Sequence, residues 1–495
     1  MKRRRLLQGA AASALAAEAG FAAEPRPPTP PKGAQASRKT LRIVFPAPES
    51  SFDPTQTNSD LYSSTIIAQI LEAPLAYDYL ARPVRLVPQT AAALPEVSAD
   101  GRTITVRLQP GIFFADDPAF KGRPRELVSQ DYVYAIKRFY DPQYNSSDLY
   151  LFETAKLPGL SAVRERALKT RQPFDYDTEV EGLKALDRYT FRLVLGEPNP
   201  RFVYLLADPA VAGAVAREVV EFYGKEIGAH PVGTGAFRLK SWRRASRIVL
   251  ERNPGYRRVV YDGTPAAMGS EADLAQPIAR SLAGRALPLV DEVQVDIVEE
   301  SQPRWLSFLN GSYHWLLVPG DFVRLAAPGG ELAPFTSGFD AAYRSEMSSF
   351  DPARAQALLD LHGYVDRNGD GWREQPDGRP LELVMASMGS QRDRLSNELW
   401  KRSMDRIGLK MSFDVSTWPE LLKKSRAGTL MMWGYSWSAG SPDGGFFLGI
   451  AYGPNASESN DPRFRLEAFD RLYERQMRLP DGPDREALMR QAKDL

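Results

Sequence analysis

The sequence predicts an α/β protein of two lobes, and three observations lead there. With 495 residues, 43% of them hydrophobic and 25% charged, the chain is long enough for two or three domains, each with its own core. In the first half, apolar residues alternate one by one, as in half-buried antiparallel strands. In the second half, short strand patterns alternate with helix-length patterns, which is the order of βαβ crossovers and of a parallel sheet covered on both faces.

At the amino end, Lys2-Arg3-Arg4-Arg5 precedes a weakly apolar stretch from Leu6 to Ala17, and Ala17-Glu18-Ala19 and Gly20-Phe21-Ala22 offer small-residue cleavage sites. Residues 1–23 therefore read as a signal peptide, and Arg3-Arg4-Arg5-Leu6-Leu7 resembles a twin-arginine export signal. A basic disordered tail is the plainer alternative. Proline-rich residues 24–39 read as a disordered linker.

The fold is expected to begin with a strand at Leu41 to Phe45, followed by a Ser51-Phe52-Asp53-Pro54 turn and a helix over about 60–72. Asp100-Gly101 turns into a strictly alternating strand from Thr103 to Leu108. Ser129 is expected to cap a helix that Pro142 stops, and Tyr189 to Leu195 form another alternating strand. In the second half, Asp351 caps and Pro352 starts a helix closed by Gly363, with Ala355, Leu358 and Leu359 on one face. Next come a strand from Leu381 to Ser387, a helix with Leu395, Leu399 and Ile407 ending at Gly408, and an alternating strand from Leu409 to Val415. Thr417 and Pro419 open a helix ending at Gly428, and Leu430 to Trp433 is expected to be a buried strand.

Composition removes several functions. The 63 basic and 62 acidic side chains leave a net charge of +1, no footprint for nucleic acid or an anionic membrane. Absence of cysteine excludes disulfides, thiolate metal sites and a lipid-bearing cysteine. The three histidines, His230, His314 and His362, are too far apart for a helical metal pair. No later stretch reaches the ~18 apolar residues of a membrane helix, so a soluble exported protein is expected. Asp366-Arg367-Asn368-Gly369-Asp370-Gly371 mimics half of a calcium loop, but Arg373 stands at its apolar eighth position and Pro376 precludes an exiting helix. A plain Asx/Gly turn is the expectation, and no metal or other cofactor is assigned. Asp291-Glu292 and Glu299-Glu300 cannot flank one bond, because neighbours on a strand point to opposite faces. No nucleophile elbow, phosphate loop or dinucleotide fingerprint is present, so no catalytic residue is assigned.

Two segments remain. Pro231-Val232-Gly233-Thr234-Gly235-Ala236-Phe237-Arg238-Leu239, followed by Arg247 to Tyr256 with its Asn253-Pro254 turn, combines glycines that allow close backbone approach with a strand pair. Trp433-Gly434-Tyr435-Ser436-Trp437-Ser438-Ala439-Gly440-Ser441-Pro442-Asp443 leaves the carboxyl end of a strand, where open α/β sheets hold ligands. Aromatic faces there supply contact area and Asp443 can orient polar groups; the plainer alternative is that the aromatics are core.

These runs, with Asp100 to Pro142 and Asp351 to Glu374, resemble the peptide- and nickel-binding extracytoplasmic solute-binding proteins of ABC transporters, family 5. The resemblance implies a two-lobed binding-protein fold of the class II, or cluster C, type that closes on a small-molecule or peptide ligand and hands it to an inner-membrane ABC permease. It also implies a periplasmic monomer without catalytic activity, and no nucleic-acid partner. On it, residues 40–58 and 187–290 form the first lobe, 59–186 an extra small α+β domain inserted in that lobe, 291–478 the second lobe, shortened near 323–349, and 479–495 the truncated start of a helix returning to the first lobe. Ligand contacts are expected from Trp433, Tyr435, Trp437, Ser438 and Asp443, with Phe52 and Gly233, Thr234 and Gly235 at the first-lobe face or hinge. Where dipeptide and oligopeptide binders carry an aspartate for the ligand amine, this chain has Ser438. The interval from Val323 to Ser349 is several dozen residues shorter than the family pattern, and the chain ends within a helix, so the expectation is either a shortened or fragmentary version or remaining parts that fold with an incomplete core and an exposed strand edge near 323–349. A ligand sensor and an exported hydrolase on the same scaffold are the alternatives.

Overall fold

The computed structural model describes residues 38–495 except 58–59, 79–80, 82–83, 264–268, 320–348, 435–436, 438–442, 457 and the side chains of 269–275. A central five-stranded sheet has the order Trp315–Leu316, Thr40–Phe45, Glu292–Ile297, Arg247–Arg252, Phe237–Arg243. The first three strands are parallel, Arg247–Arg252 runs against them, and Phe237–Arg243, antiparallel to Arg247–Arg252, runs with them again. Val44, Ile248, Leu250 and Val295 are fully buried, so the alternation of this sheet is set by its core face. The expected boundary at 291 is corrected: Glu292–Ile297 lies between Thr40–Phe45 and Arg247–Arg252, because the chain completes the first sheet before crossing over. Lys39, assigned to the linker, is already fastened, its N–H donating to Asp291 Oδ2 and its carbonyl accepting from the Asp291 and Glu292 N–H groups.

A second, antiparallel sheet has the order Glu96–Val97, Thr103–Arg107, Thr190–Val194, Leu183–Asp187. Thr190–Val194, expected in the first lobe, thus belongs with the small sheet, where Phe191 and Leu193 are buried beside Ile104 and Val106. Ser129–Tyr140 covers it with an almost wholly buried helix. Ser129 is not its cap. Asp131 takes that part, accepting the Val128 N–H at 2.8 Å, while the Ser129 hydroxyl donates to the Asp187 carbonyl. Arg138 of this helix makes a buried two-pronged pair with Asp53 at 2.7 and 2.8 Å, and one apolar cluster runs from Val106 and Leu193 through Phe52 and Phe139 to Ile248 and Val295.

In the second half, the parallel sheet is Lys410–Val415, Glu382–Ser387, Met432–Trp433. Asp351 caps Pro352–Leu361 through the Arg354 N–H at 2.9 Å, and Thr417 and Glu420 form a capping box on Trp418–Ala427, which ends at Gly428 with φ +69°. Met432–Trp433 is half-buried rather than buried, since it pairs through only two residues at a sheet edge. Pro352–Leu361 and Gln391–Asp405 bury no residue, and Leu358, Leu361, Leu395 and Leu399 are exposed, so the expected cover on both faces is incomplete among the described residues. The expected open edge near 323–349 lies outside them, apart from Ser349.

Helices Glu467–Met477 and Pro483–Lys493 pack Phe469, Tyr473, Met489 and Ala492 against Leu448 in a small separate core. Among the described residues, no helix is long and apolar enough to cross a membrane.

Candidate functional site

The parallel strands of the central sheet end at Phe45, Ile297 and Leu316, and those of the second at Ser387, Val415 and Trp433. Such ends carry ligand sites because side chains from successive loops converge there on an unfilled edge. Past Phe45 lie Glu49 and then Tyr62, whose ring packs on Phe45 at 4.9 Å. Past Ile297, Arg304 donates to the carbonyls of Val298 at 2.6 Å and Glu299 at 2.9 Å, and its Nε is buried without a partner among the described residues. Past Ser387, Ser390 caps Gln391–Asp405 and Arg392 stands in the first turn.

Arg392 is within electrostatic reach of both Tyr62 and Arg304. The helix after the Glu382–Ser387 strand thus brings Arg392 near the segments that follow Phe45 and Ile297. Burial pushes the Tyr62 hydroxyl up, opposed by Arg304 and Arg392; burial pushes the Arg304 guanidinium down, and Arg392 adds to that. Two cations with no carboxylate bonded to either among the described residues make this region suited to an anionic group.

Aromatic rings supply the rest. Trp418, just past the Lys410–Val415 strand, and Trp433, ending the strand on the other side of Glu382–Ser387, have ring centroids 5.1 Å apart, and Trp437 lies 6.3 Å from Phe446. On the opposite side, Trp242 packs on Phe52 at 4.5 Å and carries the Arg244 guanidinium on its ring, also at 4.5 Å.

Of the residues expected to meet a ligand, Trp433 stands at this edge, Trp437 lies beside Phe446, and Tyr435 and Ser438 lie outside the described residues. The others are engaged within the protein itself. Asp443 is buried between Arg201 and Arg485, so its charge is already compensated. Phe52 is core, 1% exposed. Gly233 and Gly235 press on the end of the Leu61–Ile70 helix: a Cβ at Gly233 would sit 2.1 Å from the Ile70 carbonyl oxygen, and the Gly235 N–H donates to that oxygen at 2.8 Å. Thr234 donates to Glu72, which Arg257 grips at 2.6 and 2.9 Å. The glycine run is thus a structural crossing.

Sequence reasoning missed Glu49, Trp242, Arg304, Arg392 and Trp418. For Trp418 the signal was available in its place one residue after a helix cap at a strand end; the others depend on pairing between distant segments. Asp366, Asp370 and Glu374 bring carboxylate oxygens within 4.8 Å of one another. Each accepts N–H groups of the same loop, as in an Asx/Gly turn.

Residues 85–329 and 321–459 match the model of the bacterial extracellular solute-binding proteins, family 5 (middle region). The chain belongs to that family. This solute-binding protein is 26% identical over 510 aligned residues to di/tripeptide-binding protein 2 of Pseudomonas aeruginosa, covering 93% of this chain and 88% of that one. It is 25% identical to the glutathione-binding protein GsiB of Pectobacterium atrosepticum over 64% of this chain and 59% of that one. Among solved structures, the periplasmic binding protein DppA of Helicobacter pylori in complex with the peptide STSA matches with a TM-score of 0.70 at 18% identity, over 92% of this chain and 90% of that one. The murein tripeptide binding protein MppA of Escherichia coli matches with a TM-score of 0.70 at 18% identity, over 93% and 90%. Its unliganded open form matches with 0.53 at 18% identity, over 93% and 89%. The fold is the two-lobed one of periplasmic peptide-binding proteins, and family and fold are those of binding proteins.

Proposed function

We propose that this solute-binding protein captures peptides in the periplasm by closure of its lobes and delivers them to an inner-membrane ABC permease, leaving the ligand chemically unchanged. The observation that carries the reading is the approach of Arg392, on the second sheet, to Tyr62 and Arg304 on the first. A crevice bounded by the ends of two sheets, with indole faces and guanidinium groups that bond no carboxylate among the described residues, fits an extended chain with an apolar body and a terminal carboxylate. Contacts from both sides favour the closed population, which a permease can recognise as loaded. The peptide-binding names of the relatives support the ligand class, and the Lys2-Arg3-Arg4-Arg5 leader supports export.

The test is native mass spectrometry of the purified protein with a mixed tripeptide pool. Retention of peptides that are released at their starting masses supports the proposal. Retention of none, or release of cleaved products, contradicts it.

A further inference from the structure

Glu49 is the fourth residue after the Phe45 strand end and is 4% exposed. Its Oε1 accepts from the Trp242 indole N–H and from the Ala245 N–H at 2.9 Å, which fixes the carboxylate against the turn between Phe237–Arg243 and Arg247–Arg252. Oε2 is equally enclosed and accepts from no group among the described residues. The neighbouring cation does not fill it: Arg244 lies on the Trp242 ring and donates to the Ser50 carbonyl at 2.8 Å. An enclosed carboxylate oxygen without a donor is unstable relative to one in water, so a polar partner belongs there.

We infer that Glu49 Oε2 anchors a primary ammonium group of the bound ligand, a detail that rests on the peptide-capture reading above. An ammonium supplies the missing donor and the opposite charge together, and in an enclosed setting the charge-assisted bond is strong. The Trp242 face beside it favours a cation over a neutral donor. Arg304 and Arg392, near Tyr62, supply cations for the carboxylate end of the same ligand. The site thus orients a zwitterion.

The test uses the full chain and three synthetic tripeptide pools: free amino termini without lysine, N-acetylated without lysine, and N-acetylated with a central lysine. Binding is followed by competition in native mass spectrometry. The unaltered protein should retain the free-amine pool about tenfold or more over the acetylated lysine-free pool. Glu49→Gln, which keeps an oxygen for Trp242, should abolish that preference. Retention of the acetylated lysine pool would support an ammonium anchor filled by the side-chain amine instead of the α-amine. If Glu49→Gln does not melt cooperatively, Glu49→Asp, which withdraws the charge along the same line, should weaken the preference. An equal preference in the parent and the variant, or none in the parent, overturns the inference while leaving peptide capture intact, and assigns Oε2 to a structural water. If the parent retains no pool, peptide capture fails and the anchor with it.

Discussion

Arg485 binds both carboxylate oxygens of Asp443 through one nitrogen, at 2.8 and 2.9 Å, while Arg201 pairs with the same carboxylate from the first half of the chain. Arg485 is fully buried and Arg201 nearly so. The pairing fastens the loop after Trp433 to the last helix and to the core segment around Phe202. Replacing Asp443 by Asn leaves two buried guanidinium groups facing a neutral amide, with exposed Asp481 as their remaining counterion. The expected loss is about 3 kcal/mol, measured as the shift in a urea unfolding midpoint. An unchanged midpoint would show that Asp443 is not the counterion holding these arginines.

Gly233→Ala tests the crossing beneath the first sheet. The new methyl group would meet the Ile70 carbonyl 2.1 Å away, and that oxygen already accepts from Gly235. Backbone on both sides must move, so a loss of about 1–3 kcal/mol is expected, read from thermal melting. If the variant instead keeps full stability and loses ligand affinity, the run belongs to the binding surface.

Asp208 caps a short helix through the Ala210 N–H at 2.9 Å, yet burial pushes its carboxyl up to about 6, with Asp148 adding to the effect. A raised carboxyl pKa penalises the folded state only when the group must ionise. The penalty is absent below the unfolded value near pH 4, grows as pH rises, and is complete above about pH 6. Asp208→Asn keeps a capping oxygen and carries no charge, so it should be more stable than the parent by about 2 kcal/mol near pH 8 and no more stable near pH 4. Denaturant titrations at the two pH values check this; a gain confined to low pH would reverse the assignment.

Trp418 and Trp433 provide an optical reporter. With ring centroids 5.1 Å apart at the edge of the second sheet, they should change environment as the lobes close on a ligand. Trp433→Ala is expected to lower peptide affinity about tenfold, with little change in stability because the residue is only half-buried. A variant with full affinity would place the ligand elsewhere.

Local signals explain what the sequence revealed. Asp351-Pro352, Thr417 with Glu420, and the glycines at 408 and 428 punctuate helices through contacts within a few residues, so those elements appear where expected. Other features depend on distant partners. Asp443 looked available because its counterions lie 242 residues before it and 42 after it. Phe52 drew attention as an aromatic residue, but the chain turns that ring under Trp242 into the core. The membership of Glu292–Ile297 in the first sheet is likewise a pairing that no periodicity encodes.

Closure itself can be measured as a distance, because a chain without cysteine accepts a single engineered pair cleanly. Thr65 and Glu398 are exposed on the helices that follow the first strand of the central sheet and the Glu382–Ser387 strand of the second. With spin labels at Thr65→Cys and Glu398→Cys, pulsed electron resonance should show a broad separation in the free protein that shortens and narrows when a retained peptide saturates it. The same distance distribution with and without bound peptide would contradict capture by closing lobes.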